Sequence, residues 1–238
     1  MRANSLGILT DSKSRVFLQQ SGRSTLVPLQ RPLEPGLLPA QTLDRAFRED
    51  TSLIVMPVRL TGLYYDPNVA DGELTFCFRC TMRGGDLKVP PGGQPAGFFD
   101  WPLQAGGLSP KYSRMVDDAL HHAGGPPILA EAGGPSASLG RLLGRQSVER
   151  GAESWRIAVR VTDEANDDMI EWVVVGPNEG QPDPATPAGP ARPPWETAMR
   201  LADPRHAAGG LHDVRLVGVE IASEQRTLTL VFAMGTDH

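Results

Sequence analysis

Residues Arg31–Leu53, RPLEPGLLPAQTLDRAFREDTSL, constrain this chain more than any other stretch. They read as a tight loop, a helix carrying Arg45, Glu49 and Asp50, and a return to extended chain. Pro39 suits the first helical turn, where a missing N–H leaves no bond unmade. Ala40, Leu43, Ala46 and Phe47 recur at helical spacing and define a buried stripe. Arg45 and Glu49 are i,i+4 neighbours on another face, placed to pair with each other or to meet a ligand together. Any chemistry is expected on that face.

The rest of the chain supplies mostly strands. Leu6–Thr10 and Val16–Gln20 flank a polar turn and read as a hairpin. After the helix, PVRLTGLYYDP is a strand closed by a turn at Asp66–Pro67, and Glu73–Met82 is the next strand, ended by Gly84–Gly85. GFFDWPL is a short strand or turn. Ser109–Pro110 opens a helix to about His121, with Tyr112, Met115, Val116, Ala119 and Leu120 on its buried side. Further on, Trp155–Val161 and Met169–Val175 read as a hairpin, followed by a Pro-rich loop over 176–194. A short helix Trp195–Ala202 and strands Val214–Ile221 and Thr227–Ala233 complete the chain. These elements divide it into a first unit at 1–123, a connector at 124–151 with one short helix near Leu139–Leu143, and a second unit at 152–238.

The second unit echoes the first. Thr42…Arg45, Val58-Arg59-Leu60-x-Gly62 and Leu74-Thr75-x-x-Phe78 recur in order as Thr197…Arg200, Val214-Arg215-Leu216-x-Gly218 and Leu228-Thr229-x-x-Phe232. Order and spacing agree, which points to an internal duplication.

With 21% charged residues and a net charge of −5, a general nucleic-acid surface is not expected. No apolar run approaches the roughly 20 residues needed to cross a bilayer. MRANSLGIL is too short and polar for a secretory signal, so a cytoplasmic location is expected. The arginine excess over lysine fits either a GC-rich, bacterial coding bias or phosphate recognition. Cys77 and Cys80 sit three apart on a strand and point to opposite faces. That is poor geometry for a disulfide or a metal and suits packing.

Hairpin, loop, short helix, LTGLYYDP, LTFCFRC, Gly-Gly, FFDWPL and a helix, in that order, resemble the Nudix hydrolase superfamily over about residues 4–122. The resemblance implies an α/β/α sandwich around a mixed sheet, expected here as two tandem Nudix-like units, and cleavage of nucleoside diphosphates linked to another group. It also implies Mg²⁺ or Mn²⁺ held by the box G-x5-E-x7-R-E-U-x-E-E-x-G-U. On that pattern Arg45 keeps the arginine, Glu49 the first of the paired glutamates and Phe47 the bulky apolar position, while Asp50 is a carboxylate one methylene shorter. Arg31 stands at the opening glycine, Leu37 and Ala46 at two glutamates, and Ser52 at the closing glycine. Glu34–Gly36 fits the turn before the helix.

The resemblance therefore implies Arg45, Glu49 and Asp50 as catalytic residues and Glu49 and Asp50 as metal ligands. Arg31, a positive charge able to replace a metal's at the diphosphate, and Glu34 are ligand-binding candidates; Tyr64 and Tyr65 alternate on their strand, one facing in and one out, and Tyr64 is the candidate to line the pocket. Two carboxylates are missing from a set that Mg²⁺ needs for near-octahedral oxygen ligation. Three readings follow: a binder of a nucleotide or other diphosphate-containing small molecule with weak, metal-altered hydrolysis; a non-catalytic ligand-sensing or partner-binding protein; or a fold repurposed for a biosynthetic reaction. The second unit, which keeps only Arg200 of the box, is expected to pack against the first as an intramolecular pseudo-dimer partner, with a homodimer as a further possibility. His121–His122, His206 and His212 are weaker ligand candidates.

Overall fold

The computed structural model describes residues 1–22, 25–69, 71–103, 107–132, 155–162, 186–187, 193–202, 214–222 and 226–234. The first half contains β1 (Arg2–Thr10), β2 (Val16–Ser21), β3 (Thr25–Val27), β4 (Leu29–Pro32), α1 (Pro39–Thr51), β5 (Ile54–Asp66), β6 (Glu73–Gly84), β7 (Ala96–Phe99), α2 (Pro110–His121) and β8 (Ile128–Glu131). Its eight strands form one mixed sheet in the order β3-β2-β1-β6-β5-β8, with β4 on β1 and β7 on β2. β1 and β6 run parallel at the centre, and β5 returns antiparallel to β6.

Alternation along the strands separates two cores. Leu9, Phe17, Leu63, Tyr65, Phe76 and Phe78 join Leu43, Ala46 and Phe47 of α1 on one face. Leu6, Ile8, Val16, Leu18, Tyr64 and Cys77 join Met115, Val116 and Ala119 of α2 on the other. The two helices thus sandwich the sheet, the α/β/α arrangement the sequence implied.

Gly7 on β1 is what lets α1 lie so close, because a Cβ there would fall 2.6 Å from Phe47 Cε2. Ser5 on the same strand donates to the Pro39 carbonyl at 2.8 Å and fixes the start of α1. Leu38, the residue before the helix, has no side-chain oxygen to cap with, but the Gln41 side chain accepts its N–H at 2.9 Å. At the other end Ser52 adopts the left-handed conformation and its N–H closes on Arg48 O at 3.1 Å. Gly85, at positive φ, passes this end so closely that a Cβ would lie 2.3 Å from Ser52 O.

One departure from the sequence reading lies in the expected connector, where Ile128–Glu131 forms β8, parallel to Gly62–Tyr65 of β5. Four residues after a Gly/Pro run carry too little periodicity to declare a strand, and the neighbouring strand supplies the register. The short helix near Leu139–Leu143, the strand Met169–Val175 and most of the Pro-rich stretch lie outside the described residues.

The second half contributes β9 (Arg156–Thr162), β10 (Thr186–Pro187), α3 (Pro194–Ala202), β11 (Val214–Ala222) and β12 (Thr227–Met234), with sheet order β10-β9-β12-β11. β9 runs parallel to β12, with Arg156 opposite Thr227, each 154 positions beyond Arg2 and Glu73, which pair in the first sheet. β5 and β11 are irregular at the same place: the register shifts between Leu60 and Gly62 and again between Leu216 and Gly218. Pro32 pairs with Asn4 on one edge, and Pro187 pairs with Ala158 on the other. A proline opens both α1 and α3.

Candidate functional site

The loop after β4 and the exposed face of α1 bring five of the six predicted site residues together. Arg45 and Glu49 lie one helical turn apart, and the Arg45 Nε donates to Glu49 Oε1 at 2.7 Å. Arg45 also reaches back to the loop, where Nη1 donates to Glu34 Oε2 at 2.9 Å. Arg31, at the end of β4, sends Nη2 to both carboxylate oxygens of Asp50, each at 2.7 Å. The same nitrogen stands 4.0 Å from Glu49 Oε2. Two guanidiniums and three carboxylates therefore alternate across one patch.

This pairing sets the electrostatics. The hydrogen bond from Arg45 holds the Glu49 carboxyl below its usual range against a smaller effect of desolvation, with the charges of Arg45 and Arg31 adding to it. The bond to Glu49 and the charges of Glu34 and Glu49 in turn push the Arg45 guanidinium up. All five side chains are partly or largely solvent-exposed, so each pair is worth little to stability.

A resident divalent cation does not fit this donor set as it stands. Mg²⁺ requires several oxygens turned toward one centre. Here both Asp50 oxygens are turned to Arg31, and one Glu49 oxygen is turned to Arg45. Among the described residues, no three His, Cys, Asp or Glu side chains are grouped to hold a metal ion. The side chains of Leu37 and Ala46 supply no further oxygen. The cation at this patch is a guanidinium that belongs to the chain.

Tyr64 is placed apart from the others. Its side chain lies on the α2 face of the sheet, fully buried, and its hydroxyl donates to Asp118 Oδ2 at 2.7 Å. Tyr65 points to the opposite core, so neither tyrosine faces solvent. Alternation correctly separates the two rings, but only α2 packed over the second face decides that both are covered. His121 and His122 end α2, bonded to Asp117 O and Pro126 O, while His206 and His212 lie outside the described residues. Cys77 and Cys80 are buried, unbridged and in different cores, as packing residues should be.

The residue that sequence reasoning missed is Trp155. Its indole Nε1 donates to the carbonyl of Leu33, between Arg31 and Glu34, at 3.4 Å. A lone tryptophan before a strand carries no sequence signal for a contact 122 positions away.

No family model and no curated protein matches the chain. Solved structures do resemble it, and the first ones found are of the superfamily that the sequence resembles. An ADP-ribose pyrophosphatase from Streptococcus suis aligns at 11% identity and a TM-score of 0.44, over 55% of this chain and 98% of that one. A UDP-X diphosphatase aligns at 15% and 0.46, over 54% of this chain and 66% of the other. A NUDIX hydrolase from Nitrosomonas europaea aligns at 14% and 0.46, over 55% and 77%. At TM-scores below 0.5 and such identities the likeness carries no argument, and it says nothing of the chemistry on α1. No helix among the described residues is long and apolar enough to cross a membrane.

Proposed function

We propose that this chain is a Nudix-like protein whose loop–helix face binds a nucleotide or another diphosphate-containing small molecule, with Arg31 in the place of the metal. Diphosphate hydrolysis there is weak or absent. The observation that carries the reading is the Arg31 guanidinium seated on Asp50 and beside Glu49. A guanidinium offers two nitrogens in a fork that matches a phosphate. Asp50 takes both of its bonds from one nitrogen, Nη2, so the Nη1 and Nε hydrogens of Arg31 lie outside that contact. Arg45, bridging Glu34 and Glu49, ties the loop to the helix.

We extend the proposal to the chain as a whole: two tandem units, at 1–123 and 152–238, of which the second has lost the charged face. Paired registers 154 positions apart support this, as does the shared irregularity at Leu60–Gly62 and Leu216–Gly218.

A panel of ADP-ribose, NADH and dinucleotide polyphosphates tests the function. Thermal stabilisation without added metal is the expected result for at least one of them. Release of phosphate products with Mg²⁺ or Mn²⁺ should be slow and no different between wild type and Glu49→Gln. Fast metal-dependent turnover that Glu49→Gln abolishes would restore the hydrolase reading. Absence of stabilisation by every compound would remove the nucleotide pocket.

A further inference from the structure

Met1 and Trp155 exchange backbone hydrogen bonds: the Trp155 N–H donates to Met1 O at 2.7 Å, and the Met1 nitrogen donates to Trp155 O at 3.2 Å. They occupy matching positions, Met1 immediately before β1 and Trp155 immediately before β9. A residue that bonds reciprocally to its own counterpart is the mark of an isologous contact, in which residue i meets j and j meets i about a twofold axis. A translated or arbitrarily docked copy has no reason to produce it.

A second observation is independent of the backbone. Ala3, Leu43, Leu60, Leu63, Leu74, Phe76 and Phe78 line the α1-side core, and their counterparts Ile157, Ala198, Leu216, Val219, Leu228, Leu230 and Phe232 line the same cluster. The two halves therefore turn the same face toward each other. Across the boundary Tyr65 meets Trp195 edge to face, with centroids 6.5 Å apart. Under a twofold the image of that contact is Ile221 with Ala40, and both of these pack against the cluster as well.

From these contacts the geometry points to a local twofold axis between Met1 and Trp155, with the second half acting as the built-in partner of the first. The inference rests on the duplication proposed above and adds the relation between its copies. The surface that a single unit would offer to a second molecule is occupied within the chain. The arrangement is symmetric in backbone and asymmetric in chemistry. Where α1 carries Glu49 and Asp50, the matching positions in the sequence of the second copy hold Pro204 and Arg205. The partner half also reaches the base of that face, since Trp155 bonds the Leu33 carbonyl, between Arg31 at the end of β4 and Glu34 in the loop.

Distances between nitroxide labels in the full chain test this. Arg2 and Gln41 of the first half correspond to Arg156 and Glu196 of the second. Labels at Arg2–Gln41 and at Arg156–Glu196 compare the copies internally, and equal distances are expected if they are copies. Labels at Arg2–Glu196 and at Gln41–Arg156 compare them across the boundary, and a twofold requires these two distances to coincide. Equal internal distances with cross distances that differ beyond their widths would overturn the axis and leave the duplication standing. Unequal internal distances would overturn both. Circular dichroism of each labelled variant, matching wild type, guards against a distance read from a damaged fold.

Discussion

Nη2 of Arg31 lies 2.7 Å from each carboxylate oxygen of Asp50, a residue 19 positions away at the other end of α1. The contact joins the end of β4 to the last turn of the helix. It also sets a fixed positive charge where two carboxylates would otherwise face each other in solvent.

Removing that charge should make the patch receptive to a divalent cation. Two unit charges about 4 Å apart interact by roughly 1 kcal/mol in water and about 4 kcal/mol near a protein surface. Arg31→Ala should therefore tighten Mn²⁺ binding by about tenfold or more, read by calorimetry. Arg31→Ala combined with Asp50→Asn should lose the gain. Equal Mn²⁺ affinity in wild type and Arg31→Ala would show that Arg31 does not occupy the cation's place.

Much of this architecture was legible from the residues. Pro39 and the Leu43–Phe47 stripe gave α1, and the alternation through LTFCFRC assigned Cys77 and Cys80 to opposite cores. The repeated Val-Arg-Leu-x-Gly was readable because a register shift and its glycine recur together in β5 and β11. What was not legible depends on contacts distant in sequence. β8 draws its register from β5, Tyr64 is covered by α2, and the partner of Asp50 comes from another element. Charge spacing along a helix reveals an i,i+4 pair such as Arg45–Glu49. It carries no information on which loop cation will fold back on the remaining acid.

Lys111 should govern the acid limb of stability. It bridges Asp66 at 2.9 Å and Glu73 at 3.0 Å, fastening the first turn of α2 to the β5–β6 turn. Burial alone would raise Asp66, but the Lys111 charge and bonds from Lys111 and Asn68 outweigh it and hold the carboxyl low. A carboxyl lower in the folded than the unfolded state stabilises above the unfolded value, about pH 4, and the contribution fades as pH falls through the folded value. Burial lowers Lys111 but its two carboxylates outweigh that, so its contribution holds below about pH 10 and fades only in strong base. Lys111→Met should cost about 1–3 kcal/mol at neutral pH and move the acid unfolding limb upward. Urea midpoints measured from pH 3 to pH 8 check both, and an unchanged midpoint at neutral pH would sink the idea.

The two thiols should be silent in the native protein. Burial pushes Cys77 up to about 12 and drives Cys80 up as well. At pH 8 the thiolate fraction of Cys77 is then about a thousandfold below that of a free cysteine, whose value lies near 8.5. Reaction with a disulfide reagent should follow the rate of opening and become immediate in denaturant. Rapid modification of either thiol under native conditions would contradict the placement of β6 at the centre of the sheet.

Gly7 and Phe47 should be coupled. A Cβ at Gly7 would come within 2.6 Å of Phe47 Cε2 and 3.1 Å of Leu43 Cδ2. The Phe47 ring is fully buried and held edge-on by Phe17 with centroids 5.6 Å apart, so it has no free volume to swing into. Gly7→Ala should cost about 1–3 kcal/mol by overpacking, and Phe47→Ala about 3–5 kcal/mol by leaving a cavity. For this pair the proposed duplication offers a solution with the volumes reversed, since the matching sequence positions hold Val161 and Ala202. Transplanting that solution as Gly7→Val with Phe47→Ala should cost less than the sum of the two single changes, because the valine fills part of the space the ring vacates. A double-mutant cycle in urea measures the difference, and an interaction energy of about 1 kcal/mol or more is expected for residues in direct contact. Strict additivity would mean that α1 shifts on β1 to absorb either change alone, and that Gly7 does not set the height of the helix that carries Glu49 and Asp50.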